Sequence, residues 1–347
     1  MKLILHIGMH KTGSSSIQQT LYSYENAVEF EYLPLGTINH SGPIFMAFSP
    51  DRYSYHTVLK RGLSRTEVDE LSRQYREKLE RGLKESSVNK VILSGEDVST
   101  MSREALDRMF SCILPLVDDV EVVAYVRSPK EFMESAFQQR VKDGLCAWDL
   151  SGTPLNYKER FAYFVERFGR DKVKVKVFNK AQLVDGDVVK DFSAQCGINI
   201  PSEHVVRVNE GISLSALKLL YLYRKKGDGY GVGPESMRKN EFLIDRISRL
   251  GGKKFKLHSS VYYSHSDRFS KDVSWVQENL QLDVDSEADV TEHDDIAVRS
   301  EEELLSVSVG EVAKWRDCLL GLEEMPGSLS SVEEDLLGFM QSIKDKG

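Results

Sequence analysis

Two kinds of apolar pattern alternate along the first two-thirds of the chain. The runs at residues 3–7, Lys90-Val-Ile-Leu-Ser94 and Val120-Glu-Val-Val-Ala-Tyr-Val126 are short, rich in β-branched residues and nearly continuous, as in strands buried on both faces. Lys172-Val-Lys-Val-Lys-Val-Phe178 alternates strictly, which predicts a strand toward the sheet edge with one wet face. Helical stretches fall between these runs, over 64–85, 102–114, 129–142, 157–168 and 188–196. Pro129 suits a first helical turn and Gly169 a helix end. Strands separated by helices imply βαβ units with right-handed crossovers. The expected fold class is α/β, a three-layer α/β/α arrangement around a mainly parallel central sheet.

Elsewhere the pattern changes. Residues 35–62 show no period and hold Gly, Pro, Ser, Tyr, two histidines and two arginines, the mark of a long lid or binding loop. Residues 198–282 read as mostly helical, broken by Gly227-Asp-Gly-Tyr-Gly-Val-Gly233, a turn between helices because no strand precedes it. From about residue 283 the chain turns acidic, and two helices are expected around 301–320 and 330–344. The expected division is a main domain over 1–282 and an acidic linker with a helical C-terminal extension over 283–347.

Composition narrows the classes. A net charge of −8 argues against broad nucleic-acid binding, which needs a basic surface. An anionic ligand must therefore be met by a local positive site. The four cysteines, Cys112, Cys146, Cys196 and Cys318, are far apart and suggest neither a disulfide framework nor zinc, and no clustered metal ligands are visible. The first apolar run is too short for a signal segment or a membrane span, so a cytoplasmic location without a membrane span is expected.

The first strand leads into Gly8-Met-His10-Lys11-Thr12-Gly13-Ser14-Ser15-Ser16 and a helix start. Such a junction is an anion site: N–H groups at the helix N-terminus converge on one point, and lysine and hydroxyls add donors. A nucleoside-triphosphate loop is G-x-x-x-x-G-K-[ST]. Gly8 and Gly13 have that spacing, but Ser14 stands where the lysine belongs and Lys11 lies two residues before Gly13. The strand 120–126 ends in Arg127-Ser128-Pro129, where α/β proteins bind ligands, and Ser135 follows about two turns into the next helix.

In this order Lys11-Thr12-Gly13-Ser14-Ser15 resembles the 5′-phosphosulfate-binding loop, K-[ST]-G-[ST]-[ST], of sulfotransferases that use 3′-phosphoadenosine-5′-phosphosulfate (PAPS). Arg127 with Ser135 resembles the same family's 3′-phosphate motif. The resemblance covers residues 1–280 in organisation and implies a P-loop-like fold with PAPS as donor and 3′,5′-adenosine bisphosphate as product. It assigns His10, Lys11, Thr12, Gly13, Ser14, Ser15, Ser16, Arg127, Ser135 and Asn209 to the nucleotide. Asn209 comes from Arg207-Val-Asn209-Glu-Gly-Ile-Ser213, similar to a segment of bacterial members, in which Ser213 also reads as a plain helix cap. Arg224-Lys225-Lys226-Gly227 is a loose echo of a late basic element in the cytosolic members.

Sulfuryl transfer needs a deprotonated acceptor oxygen, in-line geometry and charge stabilisation on the leaving phosphate. Lys11 is placed to neutralise the bridging oxygen, with no metal demanded. Glu96, after the strand 90–94, is the first candidate for the general base, as in glycan-modifying members; an ion pair to Lys11 or Arg127 is its structural alternative. Asp97 beside it reads as a cap for the following segment. His40 and His56 are rival bases, Tyr53, Tyr55 and Trp148 are candidate sugar-stacking residues, and His6 reads as a core histidine. The expected activity is sulfuryl transfer from PAPS to a hydroxyl of a carbohydrate, polysaccharide or glycolipid. The alternatives are a P-loop kinase or NTPase, and a non-catalytic nucleotide-binding module of the same fold.

Overall fold

A computed structural model describes residues 1–24, 28–152, 154–208, 211–227, 229–285, 297–308, 310–312, 315 and 332–345. In chain order the elements are β1 (Lys2–His6), α1 (Ser14–Ser23), β2 (Phe30–Tyr32), α2 (Ser41–Phe48), α3 (His56–Arg61), α4 (Arg65–Glu85) and β3 (Lys90–Ser94). There follow α5 (Arg103–Ile113), β4 (Asp119–Val126), α6 (Pro129–Lys142), α7 (Tyr157–Phe168), β5 (Val173–Val177) and α8 (Val188–Cys196). The rest is helical: α9 (Leu214–Lys226), α10 (Pro234–Ser248), α11 (Ser259–Tyr263), α12 (Ser270–Leu280), α13 (Glu301–Leu305) and α14 (Val332–Asp345).

The five strands form one parallel sheet in the order β2-β3-β1-β4-β5, the centre of an α/β/α fold. Leu5 lies opposite Leu93 of β3 and Val122 of β4, so the chain leaves all three central strands at one sheet edge. One sheet face, with Ile4, Ile92, Val123 and Tyr125, packs on Ile17 and Leu21 of α1 and on Val188, Val189 and Phe192 of α8. The alternate set, Leu3, Leu5, Val91, Leu93, Val122 and Ala124, is buried as completely, because parallel strands are covered on both faces. β5 lies at the edge, as its alternation predicts, and the lysines in and just before it are paired: Lys172 with Asp119 and Lys176 with Asp191, each at 2.8 Å, and Lys174 with Glu121 at 2.7 Å.

One expectation needs correction. Residues 35–62 are not an aperiodic loop but hold α2, a 3-10 turn over Arg52–Ser54 and α3. No period is visible because Ser41, Pro43, Ile44, Met46, Ala47 and Phe48 bury α2 on nearly every side. The three-residue strand β2 went unforeseen, being too short to set a pattern. The helix starts follow their caps: Ser64 and Glu67 form a reciprocal capping box for α4, and Ser213 accepts from Ala216 N–H at 3.0 Å to cap α9.

Contacts divide the chain into two units that interleave in sequence. The first, Met1–Ser128, Asn156–Asn209 and Ser270–Val284, contains the whole sheet. The second, Pro129–Leu155, Glu210–Phe269 and Asp285–Gly347, is helical, with Phe137 packed against Trp148, Tyr221 and Phe255. The C-terminal helices belong to its core: Met340 and Ile343 of α14 and Leu304 of α13 are buried, and Trp315 Nε1 donates to Ser215 Oγ at 2.9 Å. The acidic stretch at 286–296 and the expected helical residues 316–320 lie outside the described residues. Among the described residues no helix is long and apolar enough to cross a membrane.

Candidate functional site

The junction after β1 is built by backbone constraints. Ile7 and Met9 N–H groups keep donating to β4, to the Val123 and Tyr125 carbonyls at 3.0 Å, so the chain runs on beside β4 past the strand's end. At Gly8 a Cβ would stand 3.3 Å from Thr12 Oγ1 and 3.2 Å from Tyr125 N, which explains the glycine where the loop folds back. The buried Thr12 hydroxyl closes the turn by donating to the Met9 carbonyl at 2.6 Å. Lys11 takes the left-handed conformation, φ 67°, and so does Gly13, φ 80°, at the head of α1. No side chain caps α1, whose first turn is Ser14, Ser15 and Ser16. An uncapped helix N-terminus beside a lysine is the arrangement that attracts a phosphate or sulfate group.

Arg127, leaving β4, reaches back to this loop. Its Nε donates to the Lys11 carbonyl at 2.6 Å, its guanidinium lies 5.3 Å from the Phe178 ring centroid, and Tyr157 Oη holds its carbonyl. The segment before Asn209 is also docked here. Val208 N–H donates to Ser16 Oγ at 3.0 Å and Val206 N–H to Thr20 Oγ1 at 2.9 Å, both on α1. Asn209 itself lies outside the described residues.

On the other side of β1, β3 ends in a 3-10 turn over Glu96–Thr100. Glu96 is 6 % exposed, and its Oε2 accepts from Gln18 Nε2 at 3.2 Å and from Asn39 Nδ2 at 2.8 Å. Asp97 does not cap the following segment. Its Oδ1 meets His10 Nε2 at 3.0 Å and its Oδ2 accepts from Tyr55 Oη at 2.7 Å. The hydrogen bond to Asp97, opposed by burial, holds the His10 imidazole above its ordinary value. Burial pushes the Asp97 carboxyl up, but the His10 and Tyr55 bonds outweigh it and hold it below the usual range. Arg160 of α7 donates to Ser99 Oγ at 2.8 Å, and its guanidinium, lowered by burial, lies within the field of Asp97 and Glu96.

The expected residues are thus partly gathered. His10, Lys11, Thr12, Gly13, Ser14, Ser15, Ser16, Glu96 and Arg127 stand around one sheet edge of the first unit. His40 is fully buried: its Nδ1 accepts from Ser94 N–H at 3.2 Å, its ring stacks on Tyr32 at 4.3 Å, and burial pulls it down to about 3. His56 is exposed at the start of α3, its ring 4.3 Å from that of Tyr55. Tyr55 is buried, so its ring packs the α2–α3 region on Phe45, and Tyr53 Oη donates to Asp69 at 2.6 Å. Ser135 lies on α6 in the second unit. There the Arg224 guanidinium is spent on the end of α6, donating to the Val141 and Lys142 carbonyls at 3.2 Å and to Asn240 Oδ1 at 2.5 Å.

Sequence reasoning missed Gln18, Asn39 and Arg160 and the pairing of His10 with Asp97. Gln18 sits four residues after Ser14, on the same helix face, which is the one hint a sequence offers. Among the described residues no cluster of metal-binding side chains is found. Comparison with protein-family models, with curated proteins and with solved structures gave no match in any of the three.

Proposed function

We propose that this protein is a PAPS-dependent sulfotransferase acting on a hydroxyl acceptor, with a carbohydrate, polysaccharide or glycolipid as the preferred class. One observation carries the reading: the 2.6 Å bond from Arg127 Nε to the Lys11 carbonyl joins two cationic motifs from neighbouring strands at one loop. A ligand with phosphates on both ends of a nucleoside matches such a pair. Bound PAPS supplies an activated sulfuryl group. In the reading, the α1 N-terminus and Lys11 hold its phosphosulfate end, and Arg127 holds the 3′-phosphate. Glu96 takes the proton of the acceptor hydroxyl as its oxygen bonds to sulfur. The bond from sulfur to the bridging oxygen breaks, and the electron pair leaves on the 5′-phosphate beside Lys11. The free thiols of Cys112, Cys146 and Cys196 accord with a reducing compartment, and the reading includes a cytoplasmic location.

Thermal-shift titration with 3′,5′-adenosine bisphosphate, AMP and ATP–Mg tests this, because a ligand raises the melting temperature only through the state it binds. The bisphosphate should stabilise most. Arg127→Ala should weaken its binding by roughly 10- to 100-fold, about the worth of one charge-assisted contact, and abolish the preference over AMP. Preference for ATP–Mg would point to a kinase or NTPase and overturn the reading.

A further inference from the structure

We infer that Gln18 is a positioning residue for the base. The helix whose first turn cradles the anion also carries the amide that aims Glu96, and Glu96 Oε1 is the atom that receives the acceptor's proton. This rests on the sulfuryl-transfer reading.

Gln18 is 2 % exposed and its amide is fully used on one side: Nε2 donates to Ser94 Oγ and to Glu96 Oε2, each at 3.2 Å. Ser94 is itself fixed, its Oγ 2.7 Å from His6 Nδ1. The second donor to Oε2, Asn39 Nδ2, is pinned by Ser41 N–H, which donates to Asn39 Oδ1 at 2.8 Å. Two donors occupy Oε2, whereas Oε1 accepts no hydrogen bond among the described residues. A buried carboxylate that makes no ion pair among the described residues is costly unless something uses its charge. Neutral amides are suited to such a group: they fix its plane without neutralising it. The adjacent Asp97 shows the opposite case, its two oxygens taken by His10 and Tyr55. Glu96 lies in the field of His10 from the loop and Arg160 from α7, with the Tyr32 and Tyr55 hydroxyls also near it. Because Gln18 lies one turn from Ser14, a rigid segment of α1 sets the spacing between anion and base. Transfer reactions depend on that register more than on any single contact.

The test is turnover of labelled PAPS with a cell-derived glycan and lipid extract as acceptor, using Gln18→Met, Glu96→Gln and the double variant. Gln18→Met should lower kcat by roughly 10- to 100-fold, as expected for a misaimed base. Bisphosphate binding should stay within about two-fold, since the loop is untouched. In the Glu96→Gln background, Gln18→Met should cost almost nothing further. An equal loss in both backgrounds, or a parallel loss of bisphosphate binding, overturns the inference. Asn39→Ala, at an exposed residue, repeats the cycle with the other donor if Gln18→Met does not fold. Absence of bisphosphate binding by the unaltered protein overturns the sulfuryl-transfer reading itself, and is seen before any variant is made.

Discussion

At residue 13 two independent constraints meet. The backbone needs φ 80°, and a Cβ would stand 2.7 Å from Val188 Cγ1 and 3.0 Å from Phe178 Cε2. Val188 begins α8 and Phe178 follows β5, so neither neighbour is the free end of a flexible side chain. Gly13→Ala should therefore cost about 1–3 kcal/mol of stability from backbone strain alone, with a further penalty from the clash. On the proposed function its sharper effect should be on the loop, with loss of the thermal shift expected from the bisphosphate. An alanine variant that still gives the full shift would remove the glycine from the argument. The hydroxyls of this loop teach a related lesson. In the sequence they form one row, but Thr12 spends its proton on the Met9 carbonyl while Ser16 anchors Val208. Residue type was legible there; the division of labour depends on which backbone groups lie within reach.

Among the elements, β5 shows how a strand can be wet on one side and still be tied down. Lys172, Lys174 and Lys176 each cross to a carboxylate, but the three pairs are not equal. Asp191 is fully buried and also accepts from Tyr125 Oη and Gln195 Nε2, both at 2.8 Å. Asp191→Ala should cost roughly 2–4 kcal/mol, because it strands a buried tyrosine hydroxyl as well as a lysine. Lys172→Ala should cost under about 1 kcal/mol, the usual worth of an exposed pair. Urea unfolding of both variants checks this, and similar losses would mean that Asp191 acts only as a surface charge. Elements like β5, with a clean period, were legible in advance. So were β3 and β4, whose nearly continuous apolar runs follow from burial on both faces. The helix α2 was not, because a segment buried on nearly every side has no polar face to set a phase. The site divides along the same line. Lys11 and Arg127 stand at strand ends, which local pattern locates. The pairing of His10 with Asp97, and of Gln18 with Glu96, joins residues from separate elements whose partnership no spacing encodes.

For the whole molecule the consequence is a dependence of stability on pH that begins earlier than its acidic composition suggests. His6 and His40 are fully buried, and burial pulls both down to about 3. In an unfolded chain a histidine titrates near about 6.5. Below that value the unfolded chain binds two protons that the folded protein refuses, so stability must fall as pH falls. The slope approaches about 1.4 kcal/mol per pH unit for each histidine. The carboxylates act later. Asp97, Asp191 and Glu121 are held below the usual range, their pairing outweighing burial, and their contribution fades only as pH drops from about 4 through their folded values. His10 has the opposite sign. Its raised value gives a contribution present below about 6.5 and lost as pH rises through the folded value. Its side chain is 53 % exposed, so that contribution is small and does not cancel two buried rings. The melting temperature should therefore decline between pH 6.5 and 5, before the carboxylates titrate, and calorimetry across that range measures it. His40→Gln should lower stability at pH 7.5 yet roughly halve the slope, because one of the two rings has been removed. A profile flat to pH 5 would mean that the folded protein accepts these protons after all. The slope is the better observable than the midpoint: it reports protons taken up on unfolding, which packing losses in the variant do not change.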